Sequence, residues 1–106
     1  MVVYEVNLEL DPEIQTEYVR WIRQQMRRIL QLDGFEAVRV YRSLVDDPTD
    51  DLARLTVQYL VRDQAALDRY FQEYAGELRS EGNRLFGGRF QSSRRFLQHL
   101  ETLLPA

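Results

Sequence analysis

The chain has 106 residues, no cysteine and one histidine, and its 17 acidic and 14 basic residues leave a net charge of −3. The lack of cysteine excludes thiolate redox and metal centres, and a lone histidine excludes a multi-histidine metal site within one chain. The acidic balance argues against nucleic acid or an anionic membrane as the main partner. Because no segment resembles a signal peptide or a bilayer span, we predict one cytoplasmic domain, residues 1–106, without metal or cofactor.

The first predicted strand has one apolar face and one polar face. Two sets of residues alternate within Val2 to Leu10, namely Tyr4, Val6, Leu8 and Leu10 against Glu5, Asn7 and Glu9. A period of two predicts a sheet that is buried on one side only. Asp11 and Pro12 then predict a helix N-cap and first helical position, and Gly34 is predicted to end that helix.

The rest of the chain predicts a hairpin, a second helix, a fourth strand and a helical tail. Residues 35–45 and 52–62 are predicted strands whose loop, residues 46–51, is short enough to make them antiparallel neighbours. Asp63 is predicted to cap a second helix that ends at Gly82. Residues 89–96 are the fourth predicted strand. A short final helix is predicted from the spacing of Leu97, Leu100, Leu103 and Leu104.

The element order β-α-β-β-α-β predicts an α+β fold, the ferredoxin-like plait, with both helices on one sheet face. The other face stays open, and its first and third strands carry no aromatic side chain for stacking RNA bases. We predict that two open faces stack as a homodimeric α+β barrel. Four eight-residue strands offer only about 500 Å² where a stable interface needs about 800 Å² per partner, so we expect the C-terminal segment to contribute.

The open face is predicted to carry a charge network between the paired sheets. Its candidate members are Glu5, Glu9, Arg39, Tyr41, Arg54 and Arg62. We expect Glu5 and Glu9 to pair with arginines of this set, within or between subunits. The alternative interpretation is a carboxylate ligand clamped by Arg39, Tyr41 and Arg54.

Several short motifs resemble an uncharacterised bacterial family of small dimeric α+β-barrel proteins over nearly the whole chain. They are Tyr4-Glu5-Val6-Asn7, Asp11-Pro12-Glu13-Ile14, Trp21, Gly34-Phe35, Phe86-Gly87-Gly88-Arg89-Phe90 and Arg94-Arg95. More distantly, Asn7, Trp21 and Gly34-Phe35 are similar by position to the antibiotic-biosynthesis monooxygenase superfamily. Its haem-degrading members hold iron with a histidine on the second helix, where this chain has tyrosines. The resemblance therefore implies the fold, but it does not imply haem chemistry here.

A candidate ligand pocket lies between the helices and the sheet. Its predicted residues are Asn7, Tyr18, Trp21, Tyr70 and Tyr74, with Asn7 as the polar anchor; ordinary aromatic core packing is the alternative interpretation. Two functions stay open: a homodimeric barrel protein with no assignable activity, and a cofactor-independent monooxygenase-like or small aromatic or acidic ligand-binding protein. No residue is an evident proton acceptor, which favours the first. A ligand-sized cavity of about 300 Å³ or more beside Trp21, with Asn7 at its wall, favours the second.

Overall fold

The predicted ferredoxin-like plait is confirmed by the computed structural model, which describes all of residues 1–106. Its helices and strands are β1 (Val2–Leu10), α1 (Gln15–Ile29), β2 (Phe35–Arg42), β3 (Ala53–Val61), α2 (Gln64–Glu73), α3 (Ala75–Phe86) and β4 (Phe90–Gln98). The sheet order is β2-β3-β1-β4, and every neighbouring pair is antiparallel. The core lies between the helices and one sheet face, where Leu10, Ile29, Val61 and Leu67 are the largest fully buried side chains. None of the helices is long and apolar enough to cross a membrane.

The first helix begins as predicted but ends earlier. The Asp11 carboxylate accepts a hydrogen bond from the Glu13 backbone at 2.9 Å, and a single 3-10 turn, Pro12–Ile14, leads into α1. The helix ends at Ile29, so the prediction that Gly34 ends it was wrong. Gly34 instead lies in the turn before β2 with a φ of +89°, where only glycine is unstrained.

The predicted second helix is two helices. Asp63 caps α2 as expected, accepting from the Ala66 backbone at 2.9 Å. At Tyr74 the backbone leaves the helical region, with φ −132° and ψ −41°, and α3 follows directly. Gly82 does not end a helix: it is buried within α3, where an added Cβ would lie 3.0 Å from Cη2 of Trp21. This glycine therefore serves close packing between helices, a role that its local sequence does not distinguish from a helix stop.

The predicted final helix was wrong. Strand β4 extends to Gln98, the His99 backbone N–H still donates to the Met1 carbonyl at 3.0 Å, and residues 99–106 form no helix. A helix of eight residues has too few hydrogen bonds to offset its nucleation cost unless it packs on something. Here nothing covers Leu100, Leu103 and Leu104, which are each more than 80% exposed.

Candidate functional site

A cavity of about 180 Å³ lies between the sheet and the helices. Strands β1, β3 and β4 line one side, and α1, α2 and α3 line the other. Twelve of its seventeen lining residues are hydrophobic, so an apolar ligand would be desolvated there at little cost. The aromatic part of the wall comprises Tyr4, Tyr18, Trp21, Tyr59, Tyr70 and Phe90.

The wall at the α1 side is built by ring-to-ring packing. The Tyr18 ring centre lies 5.6 Å from that of Trp21 and 5.2 Å from that of Phe90, in edge-on or tilted contacts. Trp21 also donates from Nε1 to a carboxylate oxygen of Glu81 at 3.0 Å. Tilted aromatic contacts and a satisfied indole N–H restrict these rings to one arrangement, so the wall has a definite shape.

Three tyrosine hydroxyls at the cavity are free to bind a ligand. Burial raises the pKa of Tyr18 to about 12, and it raises the pKa of Tyr59 and Tyr70 further. All three phenols are therefore neutral near pH 7 and can donate hydrogen bonds. None of the three hydroxyls forms a hydrogen bond within the protein. Because every fully buried polar side-chain atom does have a hydrogen-bond partner, these hydroxyls are not fully buried and border the cavity.

The cavity also has a basic side. Ser92 and Arg94 of β4 and Arg79 and Asn83 of α3 line it, and no acidic residue does. Arg94 donates from Nε to the Tyr4 hydroxyl at 2.7 Å, and neither arginine is in an ion pair. Sequence reasoning did not assign these side chains to the pocket, although alternation along β4 from the partly buried Phe90 would have placed Ser92 and Arg94 on its side of the sheet.

The predicted pocket residues are only partly brought together. Tyr18, Trp21 and Tyr70 line the cavity, whereas Tyr74 stacks on Tyr70 at 6.1 Å outside the lining. Asn7 faces the opposite side of the sheet, where it donates to Glu5 at 3.1 Å and accepts from the Thr56 hydroxyl at 2.7 Å. Its assignment as polar anchor of the pocket is corrected, because strand alternation places it with Glu5 and not with Tyr4.

The open sheet face centres on Glu5, which is only 3% exposed. Its carboxylate accepts from Arg95 Nε at 2.6 Å, from Gln58 at 3.0 Å and from Asn7 at 3.1 Å. The bond from Arg95 and then that from Gln58 hold the pKa of Glu5 at about 2, well below its usual 4.5. The register explains the partners, because Glu5 lies directly between Gln58 on β3 and Arg95 on β4.

The other predicted members of the open-face network have different partners. Arg54 reaches Glu9 at 3.4 Å and also bonds to Asp50 in the β2–β3 loop. Arg62 does not join the network: it donates to Asp33 and Asp63, at 3.1 Å and 3.0 Å. Arg39 and Tyr41 are on the open face, exposed and without side-chain hydrogen bonds. The arginine that pairs with Glu5 is thus Arg95 and none of the three that were expected.

Glu5 is expected to make folding stability depend on acidity. Since its folded pKa of about 2 lies below its ordinary 4.5, its charged form stabilises the fold above pH 4.5, and this stability is lost as pH falls from 4.5 towards 2. Arg95 is exposed, so solvent screening reduces the gain to about 1–2 kcal/mol. At pH 7, the free energy of unfolding of Glu5→Gln should be lower than that of the wild type by this amount. Between pH 7 and pH 3 it should fall less than that of the wild type, as measured by urea unfolding.

Glu36→Gln is the matched control, because Glu36 is an exposed strand carboxylate without a hydrogen bond. It should follow the wild-type stability at both pH values. If Glu5→Gln keeps the full wild-type loss between pH 7 and pH 3, Glu5 is not the group responsible.

Solved structures share this fold at low sequence identity. A proposed antibiotic biosynthesis monooxygenase from Deinococcus radiodurans aligns with a TM-score of 0.78, 10% identity and coverage of 100% of this chain and 99% of that one. SnoaB, a cofactor-independent oxygenase from Streptomyces nogalater, aligns at 0.66, with 14% identity and 96% of each chain covered. HapK from Hahella chejuensis aligns at 0.68, with 14% identity over 100% and 99%. Identities this low establish the fold alone.

The sheet, its one-sided helix layer and these structural neighbours define a ferredoxin-like α+β protein, with a fold like that of the monooxygenase-type structures above. The chain belongs to the DUF4286 family, a domain of unknown function, whose sequence model matches residues 1–100. No curated protein sequence matches it significantly. The resemblance to an uncharacterised family is thereby confirmed, and the similarity to antibiotic biosynthesis monooxygenases is confirmed for the fold.

Proposed function

We propose that this protein binds a small ligand with a single aromatic ring in the cavity beneath Trp21. The observation that carries the proposal is the cavity itself, about 180 Å³ in size and lined mainly by aromatic and aliphatic side chains. A cavity of roughly 150 Å³ is enough to hold benzene, whereas drug-sized ligands occupy about 300 Å³ or more. One substituted ring therefore fits this space, and a fused polycycle does not.

Cofactor-independent oxygenation of the bound ring is the second candidate function. It is supported by the fold shared with SnoaB across 96% of both chains. In such chemistry the substrate supplies the electrons, while the protein orients it and accepts a proton. The three phenols at the cavity are held neutral and can donate but not accept that proton, which favours binding over oxygenation. Oxygen uptake with 1,4-hydroquinone, compared between wild type and a variant with a filled cavity, tests the second candidate.

Filling the cavity is expected to abolish ligand binding. Ser92→Leu adds an apolar side chain at the cavity wall on β4, and we expect the affinity for phenol, measured by titration calorimetry, to fall at least tenfold. Ser92 and the next residue, Ser93, are both exposed on β4, which is an edge strand, so a substitution at either position should leave the fold intact.

Ser93→Leu is the matched control, because the same change one residue along points to the opposite sheet face. It should leave phenol affinity unchanged. Equal affinities for the two variants would contradict the assignment of this cavity as the binding site, and no phenol binding by the wild type would contradict the proposed function.

We also propose that the open sheet face pairs with that of a second copy. The surface of the chain is 7482 Å², about 1,200 Å² more than the roughly 6,200 Å² expected for a folded monomer of its mass. The uncovered sheet face and the leucine-bearing tail both contribute to this additional exposed surface. The sheet alone offers about 500 Å², so the tail must contribute to a stable interface.

Removing residues 100–106 is expected to weaken this dimer. The truncation begins after His99 because Leu97 and Gln98 belong to β4 and His99 still bonds to Met1. Light scattering over a concentration series should show that the truncated chain dissociates into monomers at concentrations where the full chain is dimeric. Removal of Pro105 and Ala106 alone is the control and should keep the dimer. An unchanged dimer after the longer truncation would contradict the role of the tail, and a monomeric full chain would contradict the proposed pairing.

A further inference from the structure

The cavity that we propose for an aromatic ligand is basic at one side. Its only charged lining residues are Arg79 and Arg94, although the chain has 17 acidic residues to 14 basic ones. Neither guanidinium has a carboxylate within ion-pair distance, whereas Arg54, Arg62, Arg69, Arg89 and Arg95 all do. Seven other arginines are also without an ion pair, so what distinguishes these two is that both line one cavity that has no acidic residue in its wall.

The two arginines come from different elements and line the same cavity, Arg79 from α3 and Arg94 from β4. Arg94, Tyr18 and Tyr70 line the same cavity, and the positive charge of Arg94 opposes the rise in the pKa of both tyrosines. The charge of Arg79 acts in the same direction on Tyr70. Tyr70 and both arginines are therefore part of one cavity wall, to which β4 and α3 both contribute.

The geometry of Arg94 leaves its binding edge free. Its Nε donates to the Tyr4 hydroxyl at 2.7 Å, and Tyr4 is 3% exposed, so the guanidinium is anchored by a buried partner. Neither terminal nitrogen of Arg94 donates to a protein group. A guanidinium held by one nitrogen with its terminal N–H groups free can bind a planar carboxylate through two parallel hydrogen bonds.

From this arrangement we infer that the ligand is a single-ring aromatic carboxylate, with its ring among Tyr18, Trp21 and Tyr70 and its carboxylate at Arg94 and Arg79. The inference rests on the proposed ligand-binding function and specifies its ligand class. A carboxylate only accepts hydrogen bonds, and the polar groups that face it all include donors: two guanidinium groups, tyrosine hydroxyls, the Ser92 hydroxyl and the Asn83 amide. The volume of about 180 Å³ leaves room for one ring and one such group.

The test compares benzoate with benzamide, which has nearly the same shape but no charge. Calorimetry at pH 7 and low ionic strength should show benzoate binding about tenfold tighter or more, as expected for a charge-assisted hydrogen bond. Arg94→Gln should remove this preference, because it lowers the affinity for benzoate more than that for benzamide. Arg84→Gln is the matched control, since Arg84, like Arg79, is an exposed arginine of α3 without an ion pair but lies outside the cavity lining, and it should change neither affinity.

Arg79→Gln provides an independent second variant, because Arg79 makes no hydrogen bond within the protein and its loss does not disturb Tyr4. It should also reduce the preference for benzoate. If benzoate and benzamide bind the wild type with equal affinity and Ser92→Leu abolishes binding of both, this inference is overturned while the proposed function is supported. A preference for benzoate that survives both arginine substitutions would also overturn it. If neither benzoate, benzamide nor phenol binds, the proposed function fails as well.

Discussion

Gly34→Ala is expected to lower the free energy of unfolding by about 2–4 kcal/mol. The residue has a φ of +89°, and a side chain in that region costs about 1–3 kcal/mol. The added Cβ would also collide with the Cβ of Ala66, which is buried in α2 and is backed by the core. Overpacking of this kind costs a further 1–3 kcal/mol or so, part of which backbone adjustment relieves. Urea unfolding measures the loss as a lower midpoint.

The same substitution at Gly76 is the matched control. Nothing lies within 4 Å of a Cβ built there, and the residue is in the first turn of α3 with no positive φ. Gly76→Ala should therefore raise stability by about 0.5 kcal/mol, because alanine favours the helix and restricts the unfolded chain. A Gly34→Ala protein with the wild-type midpoint would show that the turn before β2 rearranges freely, contrary to its packing against Ala66.

Trp21→Ala is expected to cost about 3 kcal/mol of stability and to change what the cavity accepts. The indole packs on Tyr18 and Phe86 with ring centres 5.6 Å and 5.7 Å away, touches the site of Gly82 and bonds to Glu81. Its removal loses these contacts and leaves a void that the neighbouring rings fill only partly. The void joins the existing cavity, so 2-naphthol, which is too large for the wild type, should now bind.

Trp21→Phe separates the two effects. It keeps an aromatic ring in the wall but loses the hydrogen bond from Nε1 to Glu81, which should cost about 1 kcal/mol. The cavity stays small, and 2-naphthol should still be excluded. Calorimetric titration of the three proteins with phenol and 2-naphthol measures which ligand each one binds. If the wild type bound 2-naphthol with the affinity of phenol, cavity size would not be what selects the ligand.

Much of the candidate site followed from local periodicity. Tyr18 and Trp21 recur with Ile22 on the apolar stripe of α1, and Tyr70 does so on α2, so their place between helices and sheet was predictable. The same logic, applied to β1, places Asn7 beside Glu5 and away from those rings. Its assignment to the pocket was wrong, because the strand alternation contradicts it.

Glycine and leucine signals were ambiguous because different structures satisfy them equally well. Gly82 suits a helix end, but it also suits a site where an indole approaches the backbone, and only the position of Trp21 distinguishes the two. Leucines at helical spacing in residues 97–104 predicted a helix, yet a helix forms there only if another surface covers it. The neighbour that decides each case is distant in sequence.

The sequence by itself determined the four strands and the two helical segments between them, their order, and the face on which most strand side chains lie. Those properties depend on side-chain periods of 2 and 3.6, which any short window of residues displays. Only the tertiary structure decided that Glu5 pairs with Arg95, ninety positions away, and that Arg79 and Arg94 meet at one cavity. Strand register and the volume left between layers arise from the packing of distant segments, so no local pattern encodes them.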